Sequence, residues 1–380
     1  MQLRGIVAAI ATISVVGLTT SLSLPLLALI LEARGASDTY IGINTMMAGI
    51  AAMAVTTLTP RVARIVGFVP FIIAMIILMA VSFYAFFFVE NVAYWFPLRI
   101  AFHGAITALF VLSEFWINAL APPEKRGLTL GLYATVLSAG FALGPLILSV
   151  AGSADATPFI LGSLLTAVAV LPVLYARRDA PKMDDAETDL SIWPMFRLAP
   201  VAILAAFVFG AAESSGYTFL SLFGIGLGFS EAQSINLVTA LALGGFVLQI
   251  PIGLLADRMP RRILLLLLAL CGTAGGLGLM LAGNAYWLIV AILIFWGGTT
   301  SGLYTVGLTH LGSRFTGNAL ASANAAFIFM YATGMLLGPM ASGIAKDVAG
   351  GNGYLAVVSV LFLGYALMTW RRIREETANP

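Results

Sequence analysis

Five ionisable side chains lie inside long apolar stretches of this 380-residue sequence: Arg99, His103, Glu114, Glu213 and His310. A charged side chain at the centre of a bilayer costs about 2.5–3.5 kcal/mol on insertion scales, so such residues usually face a cavity or a polar partner. In that setting a carboxyl or imidazole group can carry a proton, and a guanidinium can attract an anion. His310 lies near the end of its stretch and is the weakest of the five candidates.

Three of these residues share one predicted helix face. Arg99, His103, Thr107, Phe110 and Glu114 follow one another at steps of 4, 4, 3 and 4 residues, which is the spacing of a helical stripe. Polarity against an apolar background predicts that this face meets water or protein. His103 and Glu114 are candidate proton-coupling groups, and Arg99 and Phe110 are candidates for substrate contact. The alternatives are a neutral, hydrogen-bonded His103 and a structural ion pair of Arg99.

A further carboxyl group, Glu213, lies near the middle of the seventh apolar stretch, four residues before Tyr217. At about 100° per residue the two side chains share a helix face. Burial disfavours the charged form of a carboxyl group, so Glu213 could be ionised when open to water and neutral while crossing the membrane. It is therefore the leading candidate for a proton carrier. The alternative is a protonated glutamate that makes one interhelical hydrogen bond.

Deep aromatic side chains could line a cavity for an amphipathic substrate; Tyr217, Trp296 and Tyr304 join Phe110 as candidates. Ordinary packing is the alternative for each of them. The sequence has one cysteine, Cys271, so it offers neither an intrachain disulfide nor a cysteine metal site. We expect no metal and no cofactor.

The composition indicates which elements must position these side chains. The sequence is 60% hydrophobic and 9% charged, with a mean hydropathy of +1.01, whereas soluble domains are about 45–50% apolar and about 25% charged. A net charge of +2 gives no reason to expect nucleic acid as a partner. Twelve apolar segments are each long enough to span a bilayer as helix, which takes about 20 residues. They are approximately 5–32, 40–59, 67–88, 94–119, 126–150, 158–176, 199–223, 232–255, 261–283, 287–311, 318–343 and 352–371.

The distribution of lysine and arginine predicts an orientation for these twelve segments. With both termini in the cytoplasm, all but three of the nineteen basic residues fall at inner ends and loops. Arg34 and Lys346 lie outside, and Arg99 lies within a helix. This asymmetry follows the positive-inside rule. We expect a multi-pass protein embedded in the lipid bilayer.

The two halves of the sequence resemble each other. Gly17 aligns with Gly210, and GFALGP (Gly140–Pro145) aligns with GMLLGP (Gly334–Pro339), in the same order along the chain. A charged connection separates the halves. The sequence thus predicts an all-α membrane protein with twelve transmembrane helices in two pseudo-symmetric six-helix halves, 1–176 and 199–380, joined by a cytoplasmic linker, 177–198. Duplicated units of this kind are typical of transporters that bind substrate near the midplane.

GLLADRMPRR, between the eighth and ninth segments, resembles the loop motif of the major facilitator superfamily. The matching residues are Gly253, Asp257, Arg258, Arg261 and Arg262. The first-half counterpart has Thr56 in place of the glycine and Pro60 in place of the acid. The resemblance implies a twelve-helix transporter that works by alternating access, in which Asp257 braces a cytoplasmic gate. The alternative is a loop whose basic residues merely set orientation.

The sequence Gly140-x-x-x-Gly144-Pro145 resembles the fifth-helix motif of exporters in this family, without its final Gly-Gly pair. Its second-half copy is Gly334, Gly338 and Pro339. The resemblance implies a bacterial, drug-exporter-like branch, located in the inner membrane. Without any family argument, the glycines favour close helix packing and the prolines favour bends, so both copies could be packing features with no bearing on direction.

Together these patterns predict a secondary active transporter rather than an enzyme. We expect export of a small amphipathic molecule, coupled to protons, with import of a nutrient or vitamin by proton symport as the alternative. No Walker-type GxxxxGK[ST] sequence occurs, which excludes ATP-driven transport by this chain alone. The resemblance implies a monomer.

Overall fold

The computed structural model describes residues 2–122, 125–181 and 192–378, and these form helices joined by short connections. The helices are α1 (Gln2–Ala33), α2 (Asp38–Val66), α3 (Phe68–Phe88), α4 (Trp95–Leu120), α5 (Arg126–Ala151), α6 (Thr157–Val168), α7 (Val170–Tyr175), α8 (Trp193–Leu198), α9 (Pro200–Gly226), α10 (Glu231–Arg258), α11 (Arg261–Leu281), α12 (Tyr286–Gly312), α13 (Gly317–Ala349) and α14 (Gly353–Ala378). Continuously apolar segments adopt helix because only internal hydrogen bonding satisfies the backbone in lipid.

The twelve predicted spans are confirmed as an all-α membrane fold. Among the described residues, eleven helical stretches are long and apolar enough to cross a membrane, and the last, Gly317–Glu375, runs through α13 and most of α14. A single 3₁₀ turn, Gly350–Asn352, separates those two helices. The sixth predicted segment is divided into α6 and α7. Pro172 has no N–H to donate to the carbonyl of Val168, which accounts for the break.

The predicted linker, 177–198, is more structured than a plain connection. It begins with the 3₁₀ turn Arg177–Asp179 and ends with the short helix α8. The remainder of the predicted linker, residues 182–191, lies outside the described residues.

The chain forms two compact units. The first comprises Met1–Arg34 and Ile50–Ala186, and the second comprises Gly35–Gly49 and Glu187–Pro380. The segment Gly35–Gly49 of the second unit covers the first turns of α2.

That segment belongs to the second unit because its backbone packs directly on α13. A Cβ added at Gly42 would collide with the carbonyl of Pro339, and one added at Gly343 would collide with the carbonyl of Asp38. Only the absence of both side chains allows the two backbones to approach so closely. The glycines therefore fix the position of the first turns of α2.

Polar contacts reinforce this junction of α2 and α13. The Asp347 carboxylate accepts hydrogen bonds from the backbone N–H groups of Asp38 and Thr39, at 3.0 and 2.8 Å, and so caps the start of α2. One residue earlier on α13, Lys346 Nζ lies 2.7 Å from Asp38 Oδ1. An anion at a helix N-terminus satisfies free N–H groups and complements the helix dipole. Lys346 and Asp347 thus hold α2 through two different interactions.

In the first unit, α1 packs closely on α5 at glycines of the repeated pattern. A Cβ at Gly17 would lie 2.7 Å from the carbonyl oxygen of Leu137, and one at Gly140 would lie 2.9 Å from that of Ser14. Gly144 sits in the same row, against Ser21 and the backbone of α1. Pro145, one residue later, lies inside the helix.

In the second unit, α9 packs on α13 through the residues that align with those of α1 and α5. A Cβ at Gly210 would collide with the carbonyl of Tyr331, and one at Gly334 would collide with that of Phe207. Gly338 faces the backbone of Ala211, and Pro339 follows it within the helix. The aligned residues of the two halves therefore occupy equivalent positions in equivalent helix pairs.

We expect Gly334→Ala to lower the free energy of unfolding by about 1–3 kcal/mol, because the added methyl group must displace the backbone of α9. Gly364→Ala is the matched control, since a Cβ at Gly364 of α14 meets no atom within 4 Å. There the better helix propensity of alanine is expected to add about 0.5–1 kcal/mol of stability. Thermal melting of both variants in one detergent measures the difference, and equal melting temperatures would contradict the close packing.

Candidate functional site

Glu213 lies at the midpoint of α9 and is hydrogen-bonded to a tyrosine of α13. Tyr331 Oη donates to Glu213 Oε2 at 2.7 Å, across 118 residues of sequence. Tyr217, one turn further along α9, is buried and interacts electrostatically with the same carboxyl group. The backbone contact at Gly210 is what lets α13 come close enough for Tyr331 to reach Glu213.

Aromatic rings of three helices form a connected group that includes the Tyr331 ring. Phe209, one turn before Glu213, stacks on Tyr331 with ring centroids 5.5 Å apart and an interplanar angle of 20°. Tyr304 of α12 lies 5.2 Å from the Phe209 ring and 6.0 Å from that of Tyr331. The centroid of the Tyr304 ring also lies 5.1 Å from that of Phe327. We call Phe209, Tyr304, Phe327 and Tyr331 the ring cluster.

The electrostatic setting of Glu213 is unusual because its contacts are all neutral. Within the described ranges, no lysine, arginine or histidine side chain pairs with the Glu213 carboxyl group; its interactions are with Tyr331 and Tyr217. A carboxylate without a counter-charge is costly in an apolar setting. The site therefore favours either a protonated carboxyl group or a bound cation.

Three of the predicted site residues come together here: Glu213, Tyr217 and Tyr304. The sequence pattern does not distinguish Phe209, and it gives no sign that Tyr331 pairs with Glu213. The available signal for Phe209 was its position one turn before the glutamate on the same helix face.

Trp296 lies apart from this group, and its position argues against a role in lining a cavity. The side chain is 1% exposed, and its indole N–H donates to the carbonyl oxygen of Gly272 on α11 at 2.9 Å. The ring fills the space left by the missing side chain of Gly275 and lies 6.4 Å from the ring of Phe362 on α14. Trp296 thus packs α12 against α11 and α14.

A second polar group lies in the first unit, on α4. Arg99 and His103 are fully buried, at 0% and 2% exposed. The ring of His103 lies 5.0 Å from that of Phe102. Neither of its ring nitrogens makes a hydrogen bond of acceptable geometry within the described residues. Arg99 interacts electrostatically with His103, one turn away.

The predicted stripe on α4 changes environment along its length. Phe110 is partly buried, whereas Glu114 is exposed. Beside Glu114, the Ser113 hydroxyl lies 2.9 Å from Tyr133 Oη of α5. The stripe therefore runs from a buried cation and imidazole at Arg99 and His103 to an exposed carboxyl group.

The loop motif is largely helical. Gly253, Asp257 and Arg258 belong to α10, which ends at Arg258, and α11 begins at Arg261. Pro260 is the N-cap residue of α11. Asp257 is exposed on the last turn of α10, and Arg262 Nε donates to His310 Nε2 of α12 over 3.5 Å. His310, the weakest of the ionisable candidates, thus contacts the motif.

The described residues contain no group of three or more His, Cys, Asp or Glu side chains that could hold a metal ion.

Comparison with known proteins places this architecture among transporters. The family model described as Major Facilitator Superfamily matches residues 9–236 and again 203–380. The uncharacterized MFS-type transporter YfkF of Bacillus subtilis (strain 168) is 24% identical over 338 residues, which is 87% of this chain and 86% of that protein. An uncharacterized MFS-type transporter of Enterobacter sp. (strain 638) is 27% identical over 272 residues, covering 70% of this chain and 69% of the relative.

Two solved structures share the fold. The nucleoside transporter NupG superposes with a TM-score of 0.77 at 15% identity, covering 97% of this chain and 96% of that one. A D-xylose-proton symporter gives a TM-score of 0.70 at 16% identity, covering 97% and 95%. At these identities the likeness concerns the fold alone.

We expect Trp296→Phe to lower the free energy of unfolding by about 1–3 kcal/mol, through loss of the hydrogen bond to Gly272 and a small cavity. The affinity of the Trp296→Phe variant for a transported solute should stay at the wild-type value. Tyr304→Leu, which removes a ring from the ring cluster, should weaken that affinity about tenfold. Melting temperature and solute binding, measured on both variants, separate packing from recognition. If Trp296→Phe lost as much affinity for the solute as Tyr304→Leu, Trp296 would have to be counted among the residues that contact the substrate.

Proposed function

Because this chain belongs to the Major Facilitator Superfamily, and is a multi-pass transporter rather than an enzyme, we propose that it exports a small amphipathic molecule by proton-coupled alternating access. The observation that carries the proposal is the hydrogen-bonded pair of Glu213 and Tyr331 within the ring cluster. A carboxyl group at the middle of a spanning helix, with no cation paired to it in the described part of the chain, is suited to gain and lose a proton.

We assign the coupling role to Glu213, whose ionised and protonated states can both exist at this position. When ionised, its carboxylate accepts the hydrogen bond of Tyr331. When protonated it is neutral, and the cost of holding a charge at that depth disappears. Glu114 and His103 are secondary candidates: the first is exposed on α4 and the second lies buried beside Arg99. Arg99, Phe110, Tyr217 and Tyr304 are the proposed substrate contacts.

The proposed direction is export. It is supported by the exporter-like pattern of Gly140, Gly144 and Pro145, and by the aromatic character of the ring cluster. Import remains the rival outcome, because the same pattern packs α5 on α1 whichever way substrate moves. A D-xylose-proton symporter shares the fold, and import by proton symport is accordingly the alternative to export.

The distribution of basic residues supports the proposed placement of both termini in the cytoplasm, and the bacterial relatives support the proposed location in a bacterial inner membrane. The halves 1–176 and 199–380 would rock around a central site, as internal repeats of this kind commonly do. We propose that the working form is a monomer that binds no nucleic acid.

Glu213→Gln is expected to abolish uphill transport while downhill exchange continues. Glutamine retains an oxygen that accepts the Tyr331 hydrogen bond, so folding should be preserved, but it can carry no proton. The measurement is proton-gradient-driven flux in vesicles of both orientations, using a solute found by counterflow screening. Glu231→Gln, at the start of α10, is the control and should accumulate solute normally.

Full gradient-driven accumulation by Glu213→Gln would contradict the assignment of Glu213 as the proton carrier. The orientation of the vesicles that accumulate solute decides between export and import.

Asp257→Asn is expected to bias the protein away from the state that is closed on the cytoplasmic side. Asparagine keeps the shape of the side chain but removes the charge that the loop motif uses as a brace. Labelling of single cysteines on either side of the membrane measures the shift. We expect at least a twofold faster labelling of cytoplasmic positions in Asp257→Asn than in the matched control Glu231→Gln. Unchanged labelling rates would indicate that the acid has no gating role.

A further inference from the structure

The charges around Glu213 do not balance within the protein. The carboxyl group receives one hydrogen bond, from Tyr331, and lies one turn from both Phe209 and Tyr217 on α9. Buried carboxylates in proteins are usually paired with a cation or bound to a metal. Here no basic side chain of the described residues takes that place. The site is therefore electrostatically incomplete when the carboxyl group is ionised.

The ring cluster supplies the second half of a cation site. The faces of aromatic rings attract ammonium, phosphonium and guanidinium groups within about 6 Å, most strongly where water is excluded. Phe209 and Tyr331 form a stacked pair, and Tyr304 meets both at an angle. Because Tyr331 also donates to Glu213, the cluster lies beside the carboxyl group, and aromatic side chains are the groups with which proteins recognise quaternary ammonium ligands.

The same residues are poorly suited to a bare metal cation. Calcium takes six to eight oxygen ligands, and magnesium requires a near-octahedral set. The oxygen atoms that the structure places here belong to Glu213 and Tyr331, with the hydroxyl groups of Tyr217 and Tyr304 nearby. An organic cation needs fewer oxygens, because apolar contacts supply much of its binding energy.

We propose that the transported substrate is an organic cation with an apolar or aromatic body, and that Glu213 together with Phe209, Tyr304 and Tyr331 binds its charged group. This inference rests on the proposed function, because it names the substrate class of the same site. The Glu213 carboxylate accepts either a proton or the cation. When the cation enters the protonated site, one proton leaves, and the charge of the occupied site is unchanged.

The side chains that face Glu213 are tyrosines, and they do not compete with an organic cation for its carboxylate. From its own helix the neighbour is Tyr217, and from α13 it is Tyr331, with Tyr304 of α12 behind it. The tyrosines of α14 contact other parts of α9: Tyr354 packs on Phe219 and Phe223, and Tyr365 donates to the carbonyl of Val201.

Helices α8 and α10, which also pack on α9, carry their charged residues near their ends. Arg197 lies in the last turn of α8. In α10 the charged residues are Glu231 in the first turn, and Asp257 and Arg258 in the last. A proton bound at the middle of α9 is therefore expected to be the main competitor of the cation.

Two probes of the same shape and opposite charge test the proposal. Tetraphenylphosphonium is a cation and tetraphenylborate an anion. The purified full-length protein in detergent should bind tetraphenylphosphonium at least tenfold more tightly than tetraphenylborate. Its affinity for the cation should fall as pH is lowered, and binding in weak buffer should release protons. Isothermal titration calorimetry and a pH-indicator dye provide the two readouts.

Variants locate the binding to Glu213. Glu213→Gln should bind tetraphenylphosphonium at least tenfold more weakly, which corresponds to about 1.4 kcal/mol at 25 °C. It should release no proton and lose the pH dependence. Tyr331→Phe keeps the ring and should retain most of the affinity, whereas Glu231→Gln should behave as wild type. Glu213→Asp serves as the second carboxyl variant if Glu213→Gln does not fold, and should retain proton release.

Several outcomes would overturn the inference: folded wild-type protein that does not bind tetraphenylphosphonium, binding of tetraphenylborate with equal or higher affinity, or unchanged cation binding in Glu213→Gln. Proton-driven flux of a neutral solute, without cation binding, would leave the proposed transport function intact and reject the cationic substrate. Cation binding at Glu213 without any proton-driven flux would support the site and reject the coupling.

Discussion

The hydrogen bond between Glu213 and Tyr331 is the interaction on which the proposed transport chemistry depends. It places an ionisable group at the midpoint of a spanning helix and gives it a neutral partner instead of a cation. A basic partner would hold the carboxyl group permanently ionised, whereas a tyrosine leaves both protonation states accessible. The ring cluster, which includes Tyr331, lies beside Glu213. It is apolar, but the faces of its rings attract cations. Proton exchange and recognition of substrate therefore depend on the same few side chains.

Close packing of two helices makes that hydrogen bond possible. Gly210 of α9 faces the Tyr331 backbone, and Gly334 of α13 faces Phe207, so the side chains between them are held at short range. The aligned pair α1 and α5 packs through Gly17 and Gly140 in the same manner. The first unit carries no acid at the position of Glu213, because Thr20 aligns with it. The repeat thus provides the same framework in both halves, while the proposed coupling chemistry lies in one of them.

Much of the fold was predictable from the sequence, because continuous apolar length and the placement of basic residues leave few alternatives in a bilayer. Contacts between helices were harder to predict. A spanning helix such as α12 is apolar on all sides, so its periodicity does not distinguish Tyr304, beside the ring cluster, from Trp296, which faces α11. The hydrogen bond of Tyr331 joins residues 118 positions apart, and no local pattern reports it. Assignment of Gly35–Gly49 to the second unit likewise depends on a backbone contact with α13.

The most direct test of the central claim is infrared difference spectroscopy of the protein in lipid, recorded as the pH is changed. Protonated Glu213 should give the carbonyl band of a carboxyl group, and this band should disappear as pH is raised. That band should be missing from Glu213→Gln and should shift in Tyr331→Phe, because the tyrosine contacts this carboxyl group. Identical spectra from the wild-type protein and Glu213→Gln across the pH range would show that Glu213 exchanges no proton, and would contradict the account.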